Sequence, residues 1–584
     1  MTAEYTQRKR NHTQPCNKSR ANQHCRTLGS MNVVGPGTYL SANLRALAEV
    51  APALAERISW PVGGDHVGTS PDGSWHYRWH QRWLPLEMPD ADRALLVEGA
   101  AASPQVAVLG LGDPRMVHQL LAQNAQQTLY AWDRDPWLVR LFLGAMDFSQ
   151  PLRAGTLRLL MGIDLVTSVA FLARCTIVQH PLLAQLYSHE RRLIDAEVTL
   201  PLAFVARGGL FVDDVADSLW EKGYRVYTLD LHGCATDELA FAVSQSKPRL
   251  LAAINYTEGL AEFCQHVRLP LLCWEVDPST SALPACQTPT SHAFIFTYRQ
   301  AHVKSFKRAG FEHAEYLPLA ANPRRRMPLV LDDAERSAWG GGRPTYVGSS
   351  IGLEIPRFRA AFDAVVARAT GSADPHPAIA TTWLEHALAA QRKSPSRLVV
   401  AAALDEMCPS LGTLAGGTAV QAAAEIAASE KRLRYAAALG HLGMRVWGDE
   451  GWRLMDAVAP GHKTTYMGSA GHLWDITRIY NASAVNIDVG RVYQSDIVTM
   501  RVFDIAACGG FVLADWSEAL AAVFKVGDEI ECHRSFDELE EKTRHYLAHP
   551  EQAQGFARKS RAAVLGRHTI AGRVGHMLSV LKSS

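Results

Sequence analysis

The chain has 584 residues, more than one hydrophobic core can organise, and at about 150 residues per domain its length implies three or four domains. Its content of 47% hydrophobic and 20% charged residues is that of a globular protein, and a net charge of +1 supplies no global field for nucleic acid or a membrane surface. No apolar run reaches the roughly 18 residues of a membrane helix, so no transmembrane segment is expected.

Met1 to Ser30 is polar and basic, with Arg8, Lys9, Arg10, Lys18, Arg20 and Arg26 against Glu4. It has no apolar stretch of the kind a secretory signal needs, and reads as a disordered tail or as sequence upstream of a start at Met31. Ten cysteines are scattered without a C-x-x-C pair, which removes the zinc and thioredoxin readings and points to a reducing cytoplasm. Val106-Ala107-Val108-Leu109-Gly110-Leu111-Gly112, a helical stretch and Thr128 to Asp133 form a β-α-β pattern with an acid ending the second strand. This resembles the first motif of class I methyltransferases, with Gly110, Gly112 and Asp133 as the cofactor contacts. The continuation Asp113-Pro114 departs from that motif. Residues 31–205 are read as an accessory α/β domain.

A second unit is expected over residues 206–330. Gly209 to Asp214 reads as a strand, Ala216 to Lys222 as a helix, and Tyr224 to Asp230 as a strand. Strands follow at Pro248 to Asn255, Pro270 to Asp277 and Ala293 to Thr297, then a helix from Gln300 to Ala309. Buried apolar strands alternating with helices make a parallel, doubly wound sheet. A third unit is expected over 343–584. It opens at Pro344 to Ser350, holds an alanine-rich helical insert over about 357–440, and continues with strands around Val446 and Val485. Ser535-Phe536-Asp537-Glu538 is a capping box that starts the C-terminal helices.

Ligands of such sheets bind beyond the carboxyl ends of the strands. Gly348-Ser349-Ser350 and Asn486 stand at such ends, as does Gly448 to Trp452. The segment Asp496 to Leu513 is the most informative. It reads as a helix capped by Ser495, a glycine stop at Gly509-Gly510 and a buried strand. Free amides near Ile497 to Thr499 make an anion site, and Arg501 can grip two phosphate oxygens in a fork. Asp504, on the same face as Arg501, suits a ribose diol. Together these point to a nucleotide-sugar site. The competing reading is an intrahelical Arg501–Asp504 ion pair with Asp496 as a first-turn acid.

The Asp496 to Leu513 segment resembles the signature of the CgeB-like (spore maturation protein CgeB family) glycosyltransferases. Tyr316 to Ala320, Tyr346 to Ser349, Trp447 to Trp452, His568-Thr569 with Arg573, and Cys273 to Asp277 resemble the same family, over about residues 206–575. The resemblance implies the GT-B fold: two Rossmann-like domains facing across a cleft, with the donor on the C-terminal one and no obligatory metal. Asp496 and Asp504 match the spacing of the E-x7-E pair of related retaining enzymes, with aspartate at both places. The resemblance therefore implies Asp496 near the sugar and Asp504 on the ribose, with Arg501 on the diphosphate. Gly348, Ser349, Asn486, Thr499, Gly509 and Gly510 complete the expected donor contacts. Asp277 is the candidate acceptor-side base, with Glu275 beside it. Lys463 and Arg478 are further phosphate candidates, and His472 is read as structural.

The expected function is transfer of a sugar from a nucleotide-sugar to an acceptor protein or glycan, with no metal and no cofactor. Two alternatives stand beside it. One is S-adenosylmethionine-dependent methyl transfer by the N-terminal domain. The other is a non-catalytic scaffold that binds a nucleotide-sugar, since fold alone does not fix activity.

Overall fold

The structure is a computed structural model describing residues 32–583, apart from 34, 36, 80–81, 125, 232, 278–289, 372–376, 410, 412–416 and 473. The basic tail expected over residues 1–30 lies outside the described residues. The chain divides into two compact units, Met1–Leu202 with Arg225–Pro248, and Ala203–Tyr224 with Arg249–Ser584.

In the first unit, β1 (Gln105–Leu109), β2 (Thr128–Asp133), β3 (Leu157–Met161) and β4 (Thr176–Gln179) pair in parallel in the order β3-β2-β1-β4. Their apolar runs are buried, as a sheet covered on both faces requires. The Gly110-Leu111-Gly112 turn after β1 is filled by protein. A Cβ on Gly110 would stand 2.9 Å from Leu183, and one on Gly112 would stand 2.7 Å from Leu86. Asp133 is fully buried and accepts from the amides of Leu111 and Asp135 and the hydroxyl of Tyr187, at 2.7, 2.9 and 2.6 Å. Its acceptor capacity serves the fold, and the S-adenosylmethionine reading draws no support from this geometry.

Burial, with Asp135 nearby, pushes the Asp133 carboxyl up to about 7 from 3.8, against the pull of its three donors. The folded state thus holds a proton that the unfolded state releases. The stability this contributes is complete below about pH 4 and is lost as pH rises towards 7, at about 1.4 kcal/mol per unit. Asp133→Asn keeps an acceptor oxygen and cannot titrate. Urea melts of both proteins between pH 4 and 7 are expected to show a flatter profile for the variant.

The second unit holds two successive parallel sheets. In the first, β5 (Leu202–Ala206), β6 (Leu250–Ile254), β7 (Leu271–Glu275), β8 (Thr290–Thr297) and β9 (Phe311–Tyr316) are neighbours in that order. The strand expected at Gly209 to Asp214 falls instead at β5. Phe211 takes a left-handed φ of 66°, and α1 (Val212–Glu221) starts directly after it. Asp213 and Asp214 sit in the first turn of α1, where acids match the helix dipole.

The second sheet comprises β10 (Pro344–Val347), β11 (Arg445–Trp447), β12 (Thr465–Tyr466), β13 (Val485–Ile487), β14 (Val512–Asp515) and β15 (Glu531–His533). Its order β12-β11-β10-β13-β14-β15 is the doubly wound one, with the chain reversing direction between β10 and β13. The expected α/β class with two Rossmann-like domains is present. The alanine-rich insert forms α2 (Ile355–Ala369), α3 (Pro377–Lys393), α4 (Val400–Met407) and α5 (Thr418–Ala438). Phe362, Leu384, Leu404 and Ile426 give these helices a core of their own. After β12 come α6 (Asp475–Ala482), α7 (Met500–Ala507) and, at the C-terminus, α8 (Ile570–Ser583).

α8 returns to the first sheet's domain and packs on α1. Arg573 donates to the carbonyls of Pro318 and Leu319 at 2.8 and 3.3 Å. Two segments that carry the family resemblance, far apart in sequence, thereby meet.

Candidate active site

The place where strand order reverses lies between β10 and β13, beyond their carboxyl ends. Three segments converge there: Gly348 to Ser350 after β10, Asp488 to Arg491 after β13, and the first turn of α7. Arg501 in that turn is largely shielded, with 13% of its side chain exposed. Its Nε donates to the Val347 carbonyl at 2.6 Å, its Nη1 donates to Asp488, and its guanidinium lies 4.3 Å from the Tyr346 ring. Burial alone would lower its pKa, but Tyr346 and Asp488 outweigh that and hold it raised. A Cβ on Gly348 would stand 2.5 Å from Arg501 Nη2, so glycine is what lets the guanidinium seat here.

In a simple nucleotide fold the helix after the first strand begins at this loop and offers its amides to phosphate. Here the chain leaves β10 into the insert, and α5 meets the loop with its middle. Ser429 donates to the Ser350 carbonyl at 2.8 Å. The loop amides are engaged by Asp449 and by the loop's own serines: Ser350 donates to Asp449, Ile351 to Ser349 Oγ, and Gly352 to Ser350 Oγ. α5 also brings side-chain cations to this loop. Arg432 donates to the carbonyls of Ser349 and Val489 at 2.8 and 3.3 Å. It is 7% exposed, and burial together with Arg501 and Arg491 lowers its pKa. Lys431 pairs with Asp515 at 2.6 Å, and Asp515 also accepts from the Gly490 amide. A cleft of about 40 Å³ opens beside this point, beyond the carboxyl ends of β13 and β14, with Lys431, Asp488, Arg491, Thr499 and Asp515 in its wall.

The helix expected to be capped by Ser495 starts later, at Met500. Ser495 instead ends a short turn over Val492–Gln494, and Thr499 is the N-cap. The Thr499 hydroxyl donates to Asp488 Oδ1 at 3.0 Å, so Asp488 ties together Thr499 and Arg501. Asp496 therefore precedes the helix. Its carboxylate is held by Arg299, just after β8 in the other Rossmann-like domain, with Nη2 to Oδ1 at 2.8 Å. Arg299 also donates to the Tyr493 carbonyl. Asp277, just after β7, accepts from Asn255 Nδ2 at 2.9 Å. Asn255 has a left-handed φ of 58° and receives the amides of Val276 and Asp277 on its other atom. Glu275 is buried and occupied by the Thr297 hydroxyl and His302 Nδ1.

Asp504 lies further along α7 and is 4% exposed. It pairs with Arg326 at 2.9 Å, and Arg326 also bonds Thr477 and the His472 carbonyl. The intrahelical Arg501–Asp504 pair is thus replaced by two longer-range pairs, Arg501 with Asp488 and Asp504 with Arg326. Burial raises the Asp504 carboxyl, with Arg326 pulling the other way. Gly509 stops α7 with a left-handed φ of 74°. Beyond it, a Cβ on Gly510 would come within 2.9 Å of Asn486 Nδ2, which donates to the Tyr480 and Phe511 carbonyls. Of the expected catalytic and donor residues, Thr499 lines the cleft; Asp496, Arg501, Asp277, Asp504, Gly348, Ser349, Asn486, Gly509 and Gly510 are not among the described residues lining it, nor are Lys463, Arg478 and Arg432. Arg478 lies over the Trp339 ring.

Arg432, Lys431, Asp488, Arg491 and Arg299 escaped the sequence reading. Asp488 had a legible signal, standing one residue past a buried strand. The Lys431-Arg432 pair is hidden in an alanine-rich helix, and its proximity to β10 is visible only once the insert is folded. The Arg299–Asp496 pair is partly exposed, at 14% and 25% of the side chains, so Arg299→Ala is expected to lower stability by at most about 1 kcal/mol. Urea unfolding at low and high salt checks this, with the difference from wild type shrinking as salt rises.

Residues 429–579 match a family described as glycosyl transferase-like. The matched segment contains Lys431, Arg432, Asp488, Arg491, Thr499 and Arg501, and leaves out α2 to α4. No curated protein sequence matches the chain. Among solved structures, sucrose-phosphate synthase from Thermosynechococcus elongatus is similar at 11% identity and a TM-score of 0.37, over 66% of this chain and 98% of that one. Anabaena HepE in complex with UDP-glucose is similar at 12% identity and a TM-score of 0.37, over 66% and 100%. A DNA-modifying β-glucosyltransferase is similar at 10% identity and a TM-score of 0.34, over 66% and 99%. Scores this low leave the site to be argued from the chain's own residues. Among the described residues, no helix is long and apolar enough to cross a membrane.

Proposed function

We propose that the chain is a GT-B, CgeB-like glycosyltransferase that moves a sugar from a nucleoside-diphosphate donor to an acceptor hydroxyl. The observation that carries this reading is the convergence of Arg432, Arg491 and Arg501 with the N-terminus of α7, at the reversal point of a doubly wound sheet, inside the glycosyl transferase-like segment. Three arginines converge here, and Arg432, whose hydrogen bonds go to carbonyls and not to a carboxylate, keeps its charge available for a diphosphate. In transfer from such a donor the leaving group gains negative charge, and preorganised donors facing it lower the barrier. The cations can offset that charge directly, so a metal-independent reaction is part of the proposal.

In this reading Arg501 and Arg432 hold the diphosphate. Thr499, Gly348 and Ser349 frame it, and Asp496 lies towards the sugar. Asp504 acts through α7, anchoring the helix that presents Arg501. Asn486, Gly509 and Gly510 fix the turn from α7 into β14. Asp277, oriented by Asn255, serves the acceptor side. A cleft of about 40 Å³ is smaller than the 300 Å³ or more of a typical ligand pocket, so the donor enters when the Arg299–Asp496 clasp opens. The Anabaena relative is in complex with UDP-glucose, which makes a uridine donor the first to try. Free cysteines at Cys175, Cys264, Cys273, Cys508 and Cys532 support a cytoplasmic setting.

The test is a thermal-shift panel of UDP, GDP, dTDP, CDP and S-adenosylmethionine, followed by assay of nucleoside diphosphate release from the matching sugar donor. One nucleoside diphosphate is expected to raise the melting temperature, by about 2.7 kcal/mol of stabilisation at 100 times its dissociation constant. A shift with S-adenosylmethionine alone would overturn the reading. Tight donor binding with no release in the presence of any acceptor would favour the scaffold.

A further inference from the structure

A second cavity, of about 350 Å³, lies between α2 and α5 and is bounded by Arg491. Its wall includes Glu354, Arg357, Phe358, Gln421, Glu425 and Arg491. Glu425 is the telling residue. It is 2% exposed; Oε1 accepts from the Tyr493 hydroxyl at 2.5 Å and lies 3.6 Å from Arg491, while Oε2 has no partner. A buried carboxylate oxygen without a donor is costly, and in native proteins such an atom calls for a ligand or water that supplies one.

We propose that this cavity binds an uncharged, hydroxyl-rich ligand, and that it is the subsite for a carbohydrate acceptor; the acceptor role rests on the glycosyltransferase reading. Three observations select the ligand class. Glu425 Oε2 needs a hydrogen-bond donor, which a sugar hydroxyl supplies. Phe358 is half-buried and offers a flat apolar surface to the C–H face of a pyranose. Glu354 and Glu425 balance Arg357 and Arg491, so the wall does not favour an anion. The size falls within the range of small-ligand pockets. Arg491 borders both this cavity and the cleft beyond β13 and β14, so a sugar held here lies beside the proposed donor site. Apart from Ile351, Glu354 and Arg491, the walls belong to the helical insert, most of which lies outside the glycosyl transferase-like segment.

Saturation-transfer NMR on the full chain tests this, with methyl glycosides of glucose, galactose, mannose and N-acetylglucosamine as probes. At least one glycoside is expected to receive saturation. Glu425→Gln is expected to weaken that binding by about fivefold, since a neutral amide replaces the charged acceptor of the sugar hydroxyl. Ala361→Trp, which fills the cavity from α2, is expected to abolish it, and Gln421→Trp does the same from α5 should the first variant melt early. No saturation of any glycoside, or saturation that persists in a folded filling variant, overturns the proposal. Nucleotide affinity is titrated in the same samples. A protein that binds nucleotide and no glycoside refutes the subsite alone. One that binds a glycoside in this cavity and no nucleotide upholds the carbohydrate site and refutes the donor reading.

Discussion

Arg501→Met is expected to lose about 3–5 kcal/mol of stability and, where it still folds, to slow donor turnover by about a hundredfold or more. The stability loss follows from Asp488. That carboxylate is 3% exposed and receives Arg501 and the Thr499 hydroxyl. Removing the guanidinium leaves a buried anion with one hydroxyl donor in its place. The turnover loss follows from the lost charge facing the leaving diphosphate. Arg501→Lys separates the two effects. It retains the charge but lacks the fork that reaches the Val347 carbonyl and Asp488 together, so it should fold better than methionine and still turn over slowly. Urea unfolding and nucleoside diphosphate release, run on both variants, give the two numbers. A methionine variant with wild-type release would remove Arg501 from the site.

Asp504→Ala is expected to be destabilising by about 3 kcal/mol, because it removes the carboxylate paired with the buried Arg326. Arg326 is 8% exposed, and its other contacts include the Thr477 hydroxyl and the His472 carbonyl, with the Asp214 carboxylate also in its field. The double variant Arg326→Met with Asp504→Leu removes both charges, so it should recover much of the loss, and the two substitutions should couple strongly. This pair also decides what Asp504 does. A refolded double variant with near wild-type nucleotide affinity identifies Asp504 as an anchor of α7. One that folds but binds nucleotide tenfold or more weaker would restore Asp504 to the ribose.

The architecture was legible because the strands carry their own signal. Val106 to Leu109, Leu271 to Trp274 and Phe294 to Phe296 are unbroken apolar runs, as strands covered on both faces must be. The strand placed at Gly209 to Asp214 failed because periodicity was read through a helix start, where Asp213 and Asp214 belong to the first turn. Within the site, Arg501 and Thr499 could be found because local sequence places them at a helix N-terminus. Their partners could not. Asp488 and Arg326 reach α7 only through the fold, and local spacing offered the nearer Arg501–Asp504 pair instead. Arg432 was hidden by the insert, which parts β10 from the helix that returns to it.

The most direct measurement is a calorimetric titration of wild type and Arg432→Met with the nucleoside diphosphate that raises the melting temperature. Arg432 is buried beside Arg491 and Arg501, and its hydrogen bonds go to the Ser349 and Val489 carbonyls. An apolar side chain of similar length relieves that crowding, so stability should stay within about 1 kcal/mol of wild type or rise. Nucleotide affinity should nonetheless fall by tenfold or more, the loss of one charge-assisted contact to phosphate. That split result, a stable protein that has lost its diphosphate, is what a donor site between β10 and β13 requires. A stable Arg432→Met protein with unchanged nucleotide affinity would contradict it and move the donor elsewhere.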